Sequence, residues 1–553
     1  QDQIDGKTNY RAGADFFWRP STNLQLTATI NPDFGVAESD DVVINLSATE
    51  TFFPEKRLFF LEGQDVFTAS PRADTRGAGV GNRGAPYTLV NTRRIGGKPV
   101  LPVLGAGESA RTKDQIQPND LLGAVKVTGQ NGQIRYGVLA AFEDDPEFLV
   151  QGAQGARRVV GSGSEYGVAR ILFEDQPGGA YKSFGALSTM VLNESGDALV
   201  QSLDGHYLGE NGKFKADAQV FTSDKDGVDR GFGGFVDFEY AFRQGVTQRL
   251  GIEYFDDAVD VSDLGFLQRN DNFRIRQAHT RTRSDLSWAR SNQLDIRGYV
   301  QKNSEDLFTQ GGLFVSNQSV LNNLSQVVFR LDLLAASYDD LNSFGNGAYR
   351  VEARQMASIG WASNRSKPLS FGGKLGYQGE ELGGDSAVYS LYATWRPDDR
   401  LVLDLMFNYL DRSGWLLHSR DRTMGTFDAE QWAPGIGVEY FISAKQQLKF
   451  VVQWVGVKAR ARDAYDILDA PGHLERRSDL DASVPDFAVS QVSLQGRYRW
   501  EIAPLSDLFV VYTRQSNQSG LLLQRDFQTI FSDSYQQPVT DAFVVKLRYR
   551  FGS

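Results

Sequence analysis

Cysteine is absent from the 553 residues, which excludes a disulfide framework, cysteine zinc sites, haem attached through Cys-x-x-Cys-His and a thiol nucleophile. Histidine is scarce as well: His206, His279, His418 and His473 are the only four. No two stand at i, i+4, so the helical two-histidine metal site is excluded. No run approaches the roughly 18 to 20 consecutive apolar residues of a spanning helix, so any membrane crossing falls to strands. A secretory signal needs a basic start and an apolar stretch of about 7–15 residues. The chain instead begins Gln1-Asp2-Gln3-Ile4-Asp5-Gly6-Lys7, and any export signal is expected to have been removed. Positive charge is not in surplus either. Asp and Glu number 69 against 58 Lys and Arg, a net −11, which argues against a nucleic-acid partner.

What is present points one way. Hydrophobic residues make up 41% and charged residues 23%, too apolar for disorder, while a mean hydropathy of −0.36 is too polar for a bundle of membrane helices. Glycine, at 56, and aromatics, at 12%, are both abundant, as in β-rich chains with tight turns and interfacial rings.

Alternation in segments of about ten residues recurs along the whole chain, the pattern of strands with one apolar and one polar face. In 491–500, Val492, Leu494, Gly496, Tyr498 and Trp500 form one face and Gln491, Ser493, Gln495, Arg497 and Arg499 the other. In 232–243, the row Phe232, Gly234, Val236, Phe238, Tyr240 and Phe242 backs onto Asp237, Glu239 and Arg243. The segments 213–222 and 401–409 divide in the same way. A single segment of this kind fits the half-exposed strand of a soluble sandwich. So many long ones would each need a second layer, whereas a closed barrel in lipid leaves the apolar face to hydrocarbon and pairs every backbone group. The apolar rows tend to end in rings, as at Trp18, Tyr136, Tyr240, Tyr254, Trp395, Tyr409, Trp454, Tyr498 and Tyr549, matching interfacial girdles. Back from the C-terminus, long links (517–539, 461–487, 413–429) alternate with short ones (502–507, 444–446, 397–400). The predicted fold is all-β, a large antiparallel transmembrane barrel of about 24–26 strands by the even-number habit, with outer-membrane lipid around it.

Residues 32–86 break the pattern, being long, aromatic and charged at once. They divide the chain into first strands (1–31), an insertion (32–86) and the remaining barrel (87–553). A barrel of about 24 strands has a lumen too wide for side chains to fill, so the insertion is expected to plug it. Phe52, Phe53, Phe59 and Phe60 would form a small core, with Glu55, Lys56, Arg57 and Glu62 meeting a polar wall. A loop folded over the mouth is the alternative.

The runs Asn31-Pro32-Asp33-Phe34-Gly35, Asn45-Leu46-Ser47, Phe52-Phe53-Pro54-Glu55-Lys56-Arg57 and Phe59-Phe60-Leu61-Glu62-Gly63 carry a resemblance. So do Arg93-Arg94-Ile95-Gly96, Leu122-Gly123-Ala124-Val125-Lys126-Val127-Thr128-Gly129, and Leu264-Gly265-Phe266-Leu267 with Arg269-Asn270-Asp271. Together they resemble a bacterial family of outer-membrane barrel proteins of unknown function, in which a family-9-like carbohydrate-binding module usually precedes the barrel. The resemblance implies location and architecture over essentially the whole chain. It implies no substrate. This chain has Leu58 where the family often has proline and carries no such module, so a trimmed barrel portion is expected and glycan capture is not carried over.

Chemical templates mostly fail. Gly77-x-Gly79-x-Gly81-x-x-Gly84 lacks the Gly-Lys-Ser/Thr and the helix of a phosphate loop. No Gly-x-Ser-x-Gly elbow occurs. A hydrolase embedded in the barrel would need His206 or His279 as base, and a lone strand histidine is more often part of the wall, so no enzyme is expected. Asp224, Asp226 and Asp229 surround a glycine turn and offer oxygen ligands of the kind calcium prefers, against the plainer reading of a solvated Asp-Gly turn; no other cofactor is expected. Inward charge is expected from Asp237, Glu239, Arg297, Arg497, Arg499, Arg548 and Arg550, both signs together, so no ionic selectivity follows. The readings in order are a plugged channel for a solute or polymer, a structural barrel scaffolding a surface lipoprotein or periplasmic partner, and an embedded hydrolase.

Overall fold

Among the described residues, the alternating segments become neighbours in one antiparallel sheet of twenty-three long strands. The computed structural model describes residues 10–32, 40–73, 87–153, 155–478, 480, 483–519 and 525–550. In chain order the strands are β1 (Ala14–Ser21), β2 (Leu24–Ile30), β3 (Leu121–Asn131), β4 (Ile134–Glu143), β5 (Glu165–Asp175), β6 (Tyr181–Leu192), β7 (Ala198–Leu208) and β8 (Phe214–Lys225). They continue as β9 (Val228–Arg243), β10 (Val246–Phe255), β11 (Asn272–Arg283), β12 (Ala289–Lys302), β13 (Phe308–Leu321), β14 (Gln326–Leu334), β15 (Arg354–Ala362) and β16 (Leu369–Gly379). The last are β17 (Asp385–Trp395), β18 (Leu401–Arg420), β19 (Thr423–Ser443), β20 (Gln446–Asp466), β21 (Phe487–Ala503), β22 (Ser506–Ser519) and β23 (Thr540–Arg548). The two-residue Glu475–Arg476 adds a twenty-fourth member beside β20. Among the described residues no ladder joins β1 to β23.

Turn lengths sort the two ends of this wall. Two-residue turns at 132–133 and 244–245, with Gly132 and Gly245 at φ 58° and 76°, close β3–β4 and β9–β10, where only a glycine takes positive φ without strain. The opposite end carries the long connections 31–120, 144–164, 256–271, 335–353 and 467–486. One expected long link is absent. Residues 413–429 continue β18 and β19 into a two-residue turn at 421–422, with register shifts at Arg412/Trp415 and His418/Arg420, because backbone pairing resumes past the point where alternation fades.

Two strands escaped the pattern, β11 and β13. In β11 the outward row passes from Phe273 and Ile275 to Gln277 and His279, and the inward row holds Arg274 and Arg276. In β13 the pair Gly311-Gly312 and a polar half blur the period.

The two faces differ as a wall with distinct surroundings requires. Exposed apolar residues line one face strand after strand, among them Phe184, Leu203, Val220, Phe232, Tyr254, Leu375, Leu391 and Leu405. Trp454 is an exception at 7% exposed. Helix Phe527–Gln536, capped by Asp526, covers it on that outer face, Phe527 lying 5.4 Å from Trp432 and Phe531 5.5 Å from Trp454.

Candidate functional site

The described residues between β2 and β3 (31–32, 40–73 and 87–120) lie outside the wall ladder, so the insertion runs past the expected boundary at 86. Ile30 pairs with Gly123, and the Asn31 N–H donates to Leu122 O at 2.8 Å. Both ends of the segment therefore leave from the long-loop end.

From there the segment descends the inner face. Helices α1 (Leu58–Leu61) and α2 (Gln64–Phe67) meet at Gly63, whose φ of 69° makes the bend. Lys126 of β3, 3% exposed, donates to Phe59 O and Glu62 O and so neutralises the carbonyl end of α1. A side chain at Gly137 of β4 would come within 2.9 Å of Phe67 and Val66; the missing Cβ lets α2 seat on the wall. Asp65 pairs with Arg135, which follows the 132–133 turn. The segment thus spans the height of the wall.

It then turns back. Arg72, at 3% side-chain exposure, donates to Asp237 Oδ2 at 2.8 Å and Oδ1 at 2.7 Å, and also to Glu253. Its guanidinium lies 4.0 Å over the Phe235 ring. Burial works against its charge, but the two carboxylates hold the Arg72 pKa above its ordinary value. Tyr87 is ringed by Phe221, Phe235 and Phe255 with centroids 5.7 to 5.8 Å away. Burial raises its pKa well above the usual phenol range. Tyr87–Thr88 pairs with Phe266–Leu267 of the 256–271 loop.

Glu55 and Arg57 form a clamp within the segment rather than the wall contact expected of them. Glu55 accepts from the N–H groups of Lys56 and Arg57 at 2.9 and 2.8 Å and from Thr92 Oγ1 at 2.7 Å. It also pairs with Arg57 Nη2 at 2.7 Å. Arg57 donates onward to Thr92 O at 2.5 Å and Ile95 O at 2.6 Å. Burial pushes the Glu55 pKa up, but Arg57 and Thr92 outweigh it and hold the carboxyl below its ordinary value. Lys56 pairs with Asp40 at 3.2 Å. Other contacts reach later parts of the chain: Gln453 of β20 accepts from the Val42 N–H at 3.0 Å and donates to Asp41 at 2.9 Å, and Asn342 accepts from the Ala48 N–H at 3.0 Å.

The four expected core phenylalanines separate. Phe59 and Phe60 pack at 5.0 Å, while Phe52 lies against Phe266 at 4.9 Å and Phe53 stays half-buried. The core is larger and shared with the wall: Phe60, Val66, Phe67, Tyr87 and Ile95 join Leu139, Val168, Leu187, Phe221 and Phe235. The inner face is apolar there, not polar as expected, because it packs against protein. Glu62 is exposed and meets the wall through its carbonyl, which accepts from Lys126.

Of the inward charges, Asp237 is the Arg72 latch, Glu239 pairs with Arg249 at 2.7 Å, and Arg297 with Asp295 at 2.7 Å. Arg499 and Arg548 share the buried Asp507. Arg497 lies half-buried on β21. Arg550 stands exposed beyond β23, its N–H donating to Ser506 Oγ at 3.0 Å. Both ring nitrogens of His206 face carboxylates, Asp217 at 2.9 Å and Asp204 at 3.1 Å, and His279 Nδ1 faces Gln248 at 3.0 Å. The three loop aspartates do not converge. Asp224 pairs with Arg230, Asp226 accepts from the Asp197 N–H at 3.1 Å, and Asp229 is exposed; no group of three or more metal-ligating side chains occurs among the described residues. Asp33-Phe34-Gly35 and the Gly77–Gly84 loop lie outside the described residues. Sequence reasoning missed Arg72, Tyr87 and Glu253. The available signal was Glu253, a lone acid between Ile252 and Tyr254 in an alternating strand.

The chain is similar to two solved structures of the FrpB iron transporter from Neisseria meningitidis. The F5-1 variant is 9% identical, with 72% of this chain and 75% of that chain covered and a TM-score of 0.37. The F3-3 variant is 8% identical, with 72% and 74% covered and a TM-score of 0.34. The CymD monoaromatic hydrocarbon channel is 11% identical, with 64% and 81% covered and a TM-score of 0.14. At these scores the likenesses bear no functional weight. No curated protein matches. Residues 1–551 match the family described as "Domain of unknown function (DUF5916)", and the chain belongs to that family.

Proposed function

We propose that the protein is an outer-membrane barrel whose lumen is plugged by residues 31–120 and which passes a solute or polymer when that segment shifts. The observation carrying this reading is the descent of the segment along the inner face to Arg135, latched at mid-height by Arg72 to Asp237 and Glu253. The outer location rests on the exposed apolar row, which in lipid costs nothing and in water would be a very large apolar patch. Opening follows from loosening the latch. A buried arginine between two carboxylates is stable only while all three stay together, so a force or partner that withdraws one charge releases the others.

The test is conductance in a planar bilayer. The intact chain is expected to be silent. Replacing residues 40–118 by a short Gly-Ser linker, which the adjacency of Ile30 and Gly123 permits, is expected to open a large stable conductance, and Asp237→Asn with Glu253→Gln a flickering one. Silence in all three folded proteins would overturn the channel reading in favour of a scaffold.

A further inference from the structure

A cavity of about 570 Å³ lies beside the plug, bounded by Arg72 and Tyr87 on one side and by β10–β13, β15 and the 335–353 loop on the other. Its size falls among ordinary ligand sites. Its lining runs against the charge of the chain. The protein carries a net −11, yet six arginines, Arg72, Arg269, Arg274, Arg276, Arg297 and Arg354, line this one cavity against four carboxylates, Glu253, Asp339, Asp340 and Glu381, of which Asp340 pairs with Arg269 and Glu381 with Arg354. Among the described residues Arg72, Arg274 and Arg276 share Asp237 and Glu253 between them, three positive charges on two negative.

Hydrogen-bonding capacity is also left over. Arg269 Nε, Arg274 Nε, Arg276 Nη1, Arg354 Nε and the Tyr87 hydroxyl are buried and have no hydrogen-bond partner among the described residues. All belong to residues lining the cavity. Five donors of this kind in one place are costly unless an acceptor reaches them, and the guanidinium fork matches the paired oxygens of carboxylate and phosphate. Tyr299 and Phe314, stacked at 5.2 Å and 5° on β12 and β13, add an apolar wall on which the body of a small molecule can lie.

We infer that this cavity binds an oxyanionic solute, one bearing a carboxylate or phosphate group, through Arg276, Arg297 and Arg354. The inference deepens the channel reading and rests on it for the site's role on the solute path, though the binding itself needs no current.

The test is calorimetric titration of the full chain, folded in detergent, with glucose 6-phosphate, glucuronate and glucose as probes of similar size. At least one anion is expected to bind more than about tenfold tighter than glucose, and Arg354→Gln and Arg297→Gln are each expected to remove about tenfold of that margin. Preference for glucose 6-phosphate assigns phosphate, and preference for glucuronate assigns carboxylate. Equal or absent binding of all three to the wild type overturns the inference, as does unchanged anion binding in both folded variants. If the variants fail to fold, the wild-type comparison decides alone. Tight anion binding with silent bilayers would overturn the channel reading only; open channels without anion binding would overturn this inference only.

Discussion

The arc of wall from β3 to β10 and the arc from β15 to β18 use the same alternating strands, yet their inner rows have little in common. In the first, Leu139, Val168, Leu187, Phe221 and Phe235 are buried under the inserted segment. In the second, Lys374, Ser390 and Asn408 stand level across three strands, and Lys374 and Asp404 are exposed. The outer rows of both arcs are alike, with Leu203 and Val220 exposed in one and Leu375 and Leu391 in the other. An outer row answers to the common surroundings of the wall. An inner row records what stands next to it in the lumen.

The contrast can be broken most sharply at the latch. Arg72→Ala leaves Asp237 and Glu253 with fewer cations and is expected to cost about 3–5 kcal/mol, read as a lower denaturation midpoint together with current through a bilayer. The sameness of the outer rows makes a paired prediction: Leu203→Arg and Leu391→Arg should each cost about 2–4 kcal/mol near the bilayer centre. If only the first destabilises on refolding into vesicles, the outer faces are not equivalent. Gly137→Val intrudes on Phe67 and is expected to cost about 1–3 kcal/mol through overpacking, seen as faster proteolysis of 40–73.

A pH scan sharpens the comparison further. The Glu55 carboxyl is held below its ordinary 4.5, and a depressed group stabilises fully above its unfolded pKa and loses that contribution as pH falls through the folded value. The clamp is therefore expected to hold at neutral pH and to loosen only below about pH 4.5. Protease nicking of the segment against pH should show this acid limb, and Glu55→Gln should abolish it. The smallest effect belongs to the bare arc. Asp404, exposed, accepts from Thr394 at 2.6 Å, so Asp404→Ala is expected to change stability by less than about 1 kcal/mol in the same denaturation assay.

Most of the wall was legible from alternation, because a strand with different neighbours on its two faces must alternate. Among the described residues the sheet has twenty-three long strands and a two-residue twenty-fourth, against the 24–26 expected. Strands β11 and β13 were missed where arginines and paired glycines weaken the contrast between faces. Segment 32–86 was legible as an exception, but its continuation to residue 120 was not. Tyr87, Val90 and Ile95 are apolar without period, and their burial depends on Phe221, Phe235 and Phe255, more than 120 residues away.

By itself, then, the sequence determined that this chain builds long two-faced strands, that one segment departs from them, and that cysteine and paired-histidine chemistry are excluded, since periodicity and composition are local properties. Only the tertiary structure decided which charges meet. Arg72 joins Asp237 and Glu253 across 165 and 181 positions of chain, and six arginines converge on one cavity, because closing the sheet's register brings distant inward rows together and no local pattern encodes which of them will face each other.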